Sequence, residues 1–291
     1  MKTNKLILPV LLALLAAPCV MAQESTFPST YQVGSFNLTV LPEMQNKGNK
    51  GILIGATDEM LATYMPDGTY PTAINAFLLE TADKRILVDA GLGRNLSAHL
   101  ETCKIKPEDI DIILLTHMHG DHIGGLLTDG KKSFPAATLY VSQPEYDHWA
   151  NDAKAGAVLD AYKENLHLFV PAEAGTTGEE LLPGIQGIAI YGHTPGHTGY
   201  LLQSDGEQLL IWGDTAHAMD IQMPCPQVAV TYDVDPVQAT ASRQRILKYV
   251  ADNKIRVAGM HIVYPGIGDI RKDGNNGYIF SLLCTCEGMF R

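Results

Sequence analysis

Three imidazoles and a carboxylate fall within six residues of this chain, in the run Thr116-His117-Met118-His119-Gly120-Asp121-His122. Neutral imidazole and carboxylate are good donors for zinc and similar divalent ions, so the run reads as part of a metal site. His117 and His119 are two residues apart, and in an extended segment they project to the same side. Gly120 is expected to allow a sharp turn that returns Asp121 and His122 towards them. With 10 His in 291 residues, three in six is a concentration that an incidental polar loop does not explain. More donors follow in Gly192-His193-Thr194-Pro195-Gly196-His197, Gly213-Asp214 and Gly259-Met260-His261. Any one of these alone could be a capping acid or a core histidine. Together they read as further ligands.

Each group follows a short apolar run of β character. Residues 110–115 lead to Thr116, 188–191 to Gly192, 208–212 to Gly213 and 255–258 to Gly259. Ligands gathered from the carboxyl ends of strands are what an α/β site requires. Residues 76–79 and 85–88 read as a hairpin across Thr81-Ala82-Asp83, and 138–141 as a further strand. Asp235-Pro236 starts a helix, with an N-cap acid and then Pro at the first helical position. Val237, Ala241, Ile246, Leu247 and Val250 are its expected apolar face, as far as Asp252-Asn253. A second helix is expected from Pro144 through Ala161. Strands alternating with single helices indicate a layered α/β domain with mixed sheets. The segment from Gln23 to Thr72 reads either as the first strands or as a cover over the site.

The HxHxDH pattern at residues 117–122, followed by GHTPGH, GD and GMH in that order, resembles the metallo-β-lactamase superfamily over roughly residues 73–270. Within it, the chain looks most like the exported branch that includes methyl parathion hydrolase and related lactonases and arylesterases. The cues are Leu87-Val88-Asp89-Ala90-Gly91-Leu92-Gly93, then Tyr232-Asp233-Val234-Asp235-Pro236 with Arg243, and the run from His261 to Pro265-Gly266. The resemblance implies a single-domain, four-layer αββα sandwich holding two divalent metal ions. With only nitrogen and oxygen donors, zinc is the expected metal, and manganese, iron and cobalt are alternatives.

The resemblance also assigns roles. His117, His119 and His193 would hold one metal, Asp121, His122 and His261 the other, and Asp214 would bridge them. His193 and His197 both sit in Gly-His pairs. The family pattern GHTxGHxxY, met here by Tyr200, puts the ligand at His193, 21 residues before Asp214, and leaves His197 to support the loop. An Asp rather than a Cys at the bridging station points away from antibiotic-cleaving β-lactamases. Two close divalent ions would acidify a shared water and polarise a carbonyl or phosphoryl oxygen. Asp121 is the expected catalytic residue, orienting the nucleophile or shuttling its proton. Asp89 is either an acceptor behind a ligating histidine or a turn residue. His217 lines the pocket or lies behind it, and His99, His148 and His167 are expected to be solvated.

The bulk composition bounds the rest. A chain of 291 residues, 46% hydrophobic, can bury a substantial core. Lys2 and Lys5, the apolar residues 6–17 and Val20-Met21-Ala22 ahead of Gln23 read as a secretory signal over residues 1–22, leaving a hydrolase domain over 23–291. That apolar stretch is shorter than the roughly 20 residues that span a bilayer, so no membrane insertion is expected after cleavage. The expected location is periplasmic or secreted. Loss of Lys2 and Lys5 leaves 19 basic against 32 acidic side chains. Such a surface repels phosphate backbones, which argues against a nucleic-acid partner. A small-molecule substrate is expected instead, and a homodimer is common in the similar branch. Cys103, Cys225, Cys284 and Cys286 allow three pairings, which spacing does not decide.

The expected function is an exported binuclear hydrolase of an ester, lactone or phosphotriester. Its alternatives are an acyl-homoserine lactonase specifically, a β-lactamase, a glyoxalase-type thioesterase, and a non-catalytic metal-binding protein with the same fold.

Overall fold

The apolar runs are nearly continuous because their strands are buried on both faces. In Phe77-Leu78-Leu79, Phe77 and Leu79 enter one core, while Leu78 enters another. Ile86 and Val88 alternate with Leu87 in the same way, and Ile112 and Leu114 with Ile113. This is the two-residue period of a strand covered on both sides. The computed structural model describes residues 28–176 and 178–283. The expected signal segment, Cys284 and Cys286 therefore lie outside the described residues.

Seven strands form the first sheet, in the order Ser29–Val33, Phe36–Asn49, Thr69–Glu80, Arg85–Val88, Ile112–Leu114, Thr138–Ser142 and Leu166–Phe169. Six form the second, in the order Ile185–Ala189, Thr198–Ser204, Glu207–Ile211, Arg256–Ala258, Ile267–Lys272 and Tyr278–Leu282. Their inner faces meet in one core, where Phe77, Leu79 and Leu114 join Tyr200, Leu202 and Ile211. Helices Leu96–Thr102 and Ala153–Tyr162 cover the outside of the first sheet, and helix Pro236–Asn253 covers the second. The architecture is the expected αββα sandwich.

Three local expectations need correction. The helix expected from Pro144 through Ala161 is two helices, Gln143–Trp149 and Ala153–Tyr162, because Asp152 caps the second through the N–H groups of Lys154 and Ala155. Helix Pro236–Asn253 begins as expected, with Asp235 accepting from Val237 and Gln238. Its buried face is rotated, however: Val237 is 80% exposed and Ala241 is exposed, while Ala239, Ser242 and Arg243 are buried. Ser242 and Arg243 can take that face because their polar atoms reach backbone carbonyls of Tyr191, Thr215, Pro226 and Val228. His99 is buried, not solvated, and donates from Nε2 to the Pro42 carbonyl at 2.8 Å.

Within residues 23–72 the described residues form two strands of the first sheet and the start of a third at Thr69, the short strand Leu53–Ile54, and a helix, Asp58–Tyr64. Cys103 and Cys225 are unbridged. No helix among the described residues is long and apolar enough to cross a membrane.

Candidate metal centre

Strand Ile112–Leu114 runs out into Thr116 and His117, Ile185–Ala189 towards His193, Glu207–Ile211 towards Asp214, and Arg256–Ala258 towards His261. These ends converge on one side of the sandwich. His119 caps a single helical turn, Gly120–Ile123, that carries Asp121 and His122. That helical turn, not a left-handed glycine, brings the two residues back. Gly213 does adopt a left-handed φ of +58°, and a side chain there would sit 2.3 Å from His197 Nε2.

Seven sequence-identified side chains come together. One group holds His117, His119, His193 and Asp214, and a second holds Asp121, His122 and His261. Within each group one donor atom per residue lies within 4.8 Å of all the others. His119 Nδ1 is 3.1 Å from His117 Nε2 and 3.0 Å from His193 Nε2. Asp214 lies between the groups. Its Oδ2 is 3.3 Å from His193 Nε2 and 3.0 Å from His261 Nε2, and its Oδ1 is 3.3 Å from His122 Nε2.

The far side of each ring explains why these nitrogens face inward. His122 Nδ1 donates to Asp89 Oδ2 at 2.6 Å, and Asp89 also accepts from the backbone and hydroxyl of Thr116. His193 Nδ1 donates to Asp233 at 2.8 Å, and His261 Nδ1 donates to the Ala73 carbonyl at 2.7 Å. Each ring thereby presents its other nitrogen to the cluster, as metal-binding histidines commonly do. His197 has no nitrogen left. It donates from Nδ1 to the Ile190 carbonyl and accepts at Nε2 from the Asp214 N–H.

Burial opposes charge on His193, but hydrogen bonds to Asp214 and Asp233 outweigh it and raise the pKa to about 9. For His119 burial is reinforced by His193, and the pKa falls to about 4. Burial pushes the Asp214 carboxyl up, yet His122, His261 and His117 hold it well below the usual carboxylate range. His122 Nε2 and Asp214 Oδ1 are fully buried without any hydrogen-bond partner. Orphaned atoms of this kind, facing each other among nitrogen and oxygen donors, fit a divalent cation.

Two of the less certain sequence readings resolve into contacts. Asp89 stands behind His122, as given above. His217 is buried, donates from Nε2 to Asp214 Oδ2 at 3.1 Å, and stacks on His261 with ring centroids 4.6 Å apart. Sequence reasoning missed the roles of Asp233 and Glu145. Asp233 stood in a noted motif, whereas Glu145 is a single acid inside a helical run and carries no signal of its own.

A cavity of about 450 Å³ opens onto the cluster. His119, Asp121, His193, Asp214, His217 and His261 form its floor. Met44, Tyr70, Ile74 and Tyr232 contribute apolar wall, and Lys47 is the one lysine or arginine among the described residues that lines it.

Fold and cluster together define a layered α/β protein built to gather divalent metal at its strand ends. The sequence pattern of the Metallo-beta-lactamase superfamily matches residues 69–261, and the chain belongs to that superfamily. Among solved structures it is similar to AidC, a dizinc quorum-quenching lactonase, with a TM-score of 0.80 and 25% identity over 90% of this chain and 99% of that one. It is also similar to AbOPH, a hydrolase in the beta lactamase superfamily, with a TM-score of 0.79 and 27% identity over the same shares. Among curated relatives, exodeoxyribonuclease WalJ of Streptococcus pneumoniae is 31% identical over 147 residues, 50% of this chain and 52% of that protein. An N-acyl homoserine lactonase of Bacillus cereus is 25% identical over 177 residues, 52% of this chain and 66% of that protein. The chain thus matches about half the length of the first curated relative.

Proposed function

We propose that this protein is an exported hydrolase that uses two divalent metal ions, zinc by donor type, to cleave an uncharged ester or lactone. A phosphotriester is the alternative of the same charge class. The observation that carries the reading is the pair of adjacent donor groups, with Asp214 of the first in contact with His122 and His261 of the second, at the floor of an apolar-walled cavity. Its likeness in fold to a lactonase and a hydrolase supports the same chemistry.

His117, His119 and His193 would hold one cation, Asp121, His122 and His261 the other, with Asp214 between them. Bound there, divalent cations would acidify water and polarise the oxygen of the scissile group. Asp121 is the only carboxylate of the set with substantial exposure, 29%, and it lies 3.8 Å from both His122 and His261. It would therefore take the proton given up by the attacking water and return it to the leaving oxygen as the bond breaks. His217 fixes Asp214 by donating to Oδ2. Tyr70, Met44 and Ile74 exclude water from one side of the substrate. Export rests on the basic and apolar pattern of residues 1–22.

Metal analysis of the purified protein, joined to a panel of aryl ester, acyl-homoserine lactone, phosphotriester, nitrocefin and nucleotide phosphodiester, tests the proposal. Two equivalents of metal and preferred turnover of a lactone or ester are expected. Preferred phosphodiester or nitrocefin turnover would overturn the substrate class, and a single metal with full activity in Asp214→Ala would overturn the binuclear reading.

A further inference from the structure

Glu145 lies in helix Gln143–Trp149, is 1% exposed, and meets no lysine, arginine or histidine within ion-pair distance among the described residues. An unpaired buried carboxylate is costly, so its hydrogen bonds must account for it. Four donors converge on it. Oε1 accepts from the Met118 N–H at 2.9 Å and from Trp149 Nε1 at 2.6 Å. Oε2 accepts from the Thr194 hydroxyl at 2.7 Å and from the Gly196 N–H at 2.9 Å.

Trp149 lies in the same helix as Glu145, and the other three donors belong to two loops 74 residues apart in sequence between His119 and His193. Met118 separates His117 from His119, and Thr194 follows His193. One carboxylate thus ties together the loops that supply all three histidines of the first donor group. Two further contacts tighten the joint. Ser142 Oγ donates to the Gly196 carbonyl at 2.7 Å, and a side chain at Gly196 would sit 2.2 Å from Glu145 N. Trp149, held by Glu145 through its indole N–H, sets its edge against His119 with centroids 5.6 Å apart. Glu145 accepts no hydrogen bond from Asp121, His122 or His261, nor from a residue adjoining any of them.

We propose that Glu145 is a positioning residue that fixes the His117–His119–His193 arrangement and so sets the metal affinity of that position alone. The inference rests on the metal-centre reading above. A glutamine is nearly isosteric but turns one oxygen into a donor, which must then face either the Gly196 or the Met118 N–H. The clamp opens on one loop while the fold, built elsewhere, is retained.

The test is cobalt titration of full-length wild type, Glu145→Gln, Thr194→Val and Trp149→Phe, followed by visible absorption, with circular dichroism to confirm folding. Wild type should take up two equivalents. In Glu145→Gln one equivalent should weaken roughly 10–100-fold with an altered spectrum, and the other should bind as before. Thr194→Val and Trp149→Phe, each removing one bond, should weaken the same equivalent by less, and they keep the proposal exposed if Glu145→Gln does not fold. Wild-type affinities and spectrum in every folded variant would overturn the clamp, as would equal weakening of both equivalents. Wild type that binds no cobalt would sink the metal-centre reading itself.

Discussion

The floor and the wall of the cavity are built on opposite principles. At the floor three histidine rings are each fixed by a bond behind them: Asp89 for His122, Asp233 for His193, the Ala73 carbonyl for His261. The wall comes largely from one ribbon, the pair Phe36–Asn49 and Thr69–Glu80. Near Leu38 and Leu79 that ribbon is part of the core, but its pairing shifts between Pro42 and Met44. A bulge bends a strand, and proline has no N–H to give the ladder. Beyond the bulge, Asn46 and Lys47 face the cavity and solvent together, and Tyr232, which lies outside the ribbon, is 54% exposed. A pre-organised floor can carry one chemistry across many relatives, while an exposed wall can change its substrate without disturbing the floor.

The sharpest break would come at Asp214, which belongs to the first donor group and contacts His122 and His261 of the second. Asp214→Ala should lower turnover by roughly 10³-fold or more and release metal. Chelation of the wild type should do the same, with zinc restoring activity and the melting temperature rising again as metal rebinds. A chelated protein with full turnover would end the comparison, because the floor would then have no special role. Behind the floor, Asp233→Ala should weaken metal binding roughly 10–100-fold in competition with a chromogenic chelator. Arg243 is a different support. Its guanidinium meets three backbone carbonyls around residues 215–228, with no carboxylate in ion-pair contact among the described residues. Arg243→Met leaves those carbonyls unpaired and should lower stability in urea by roughly 3 kcal/mol. Unchanged stability would show that water replaces the guanidinium.

The two regions also differed in how far the sequence disclosed them. The floor was legible because its donors are rare residue types placed just after apolar runs, so type, spacing and strand period agreed. The sequence left a choice between two Gly-His pairs, and the geometry puts His193 in the cluster and His197 on backbone atoms. What stayed hidden depends on contacts distant in sequence. Glu145 reaches loops 27 and 49 residues away, and His99 reaches a carbonyl 57 residues away. No local pattern marks such partners. The buried face of helix Pro236–Asn253 was misread at Val237 and Ala241 for a related reason: hydrophobicity alone does not reveal that Arg243 can be buried by carbonyls supplied from elsewhere. The wall was unreadable because a bulge, set by pairing, decides where the ribbon leaves the core.

The smallest effect is expected at the wall, and it is the one that separates the two regions most cleanly. Tyr232→Ala and Met44→Ala remove apolar surface from the cavity without altering any residue of the two donor groups. For a lactone or ester with a long acyl chain, KM should rise several-fold, since each methylene lost from an apolar pocket is worth about 1–3 kcal/mol at most. For a short-chain substrate KM should barely change, and kcat and bound metal should stay at wild-type values for both. The chain-length dependence is the diagnostic quantity, because a general loosening of the site would affect short and long substrates alike. A fall in kcat for every substrate, or a loss of metal, would mean that the wall helps to hold the floor, and the division between chemistry and selectivity drawn from the bulge at Pro42 would fail.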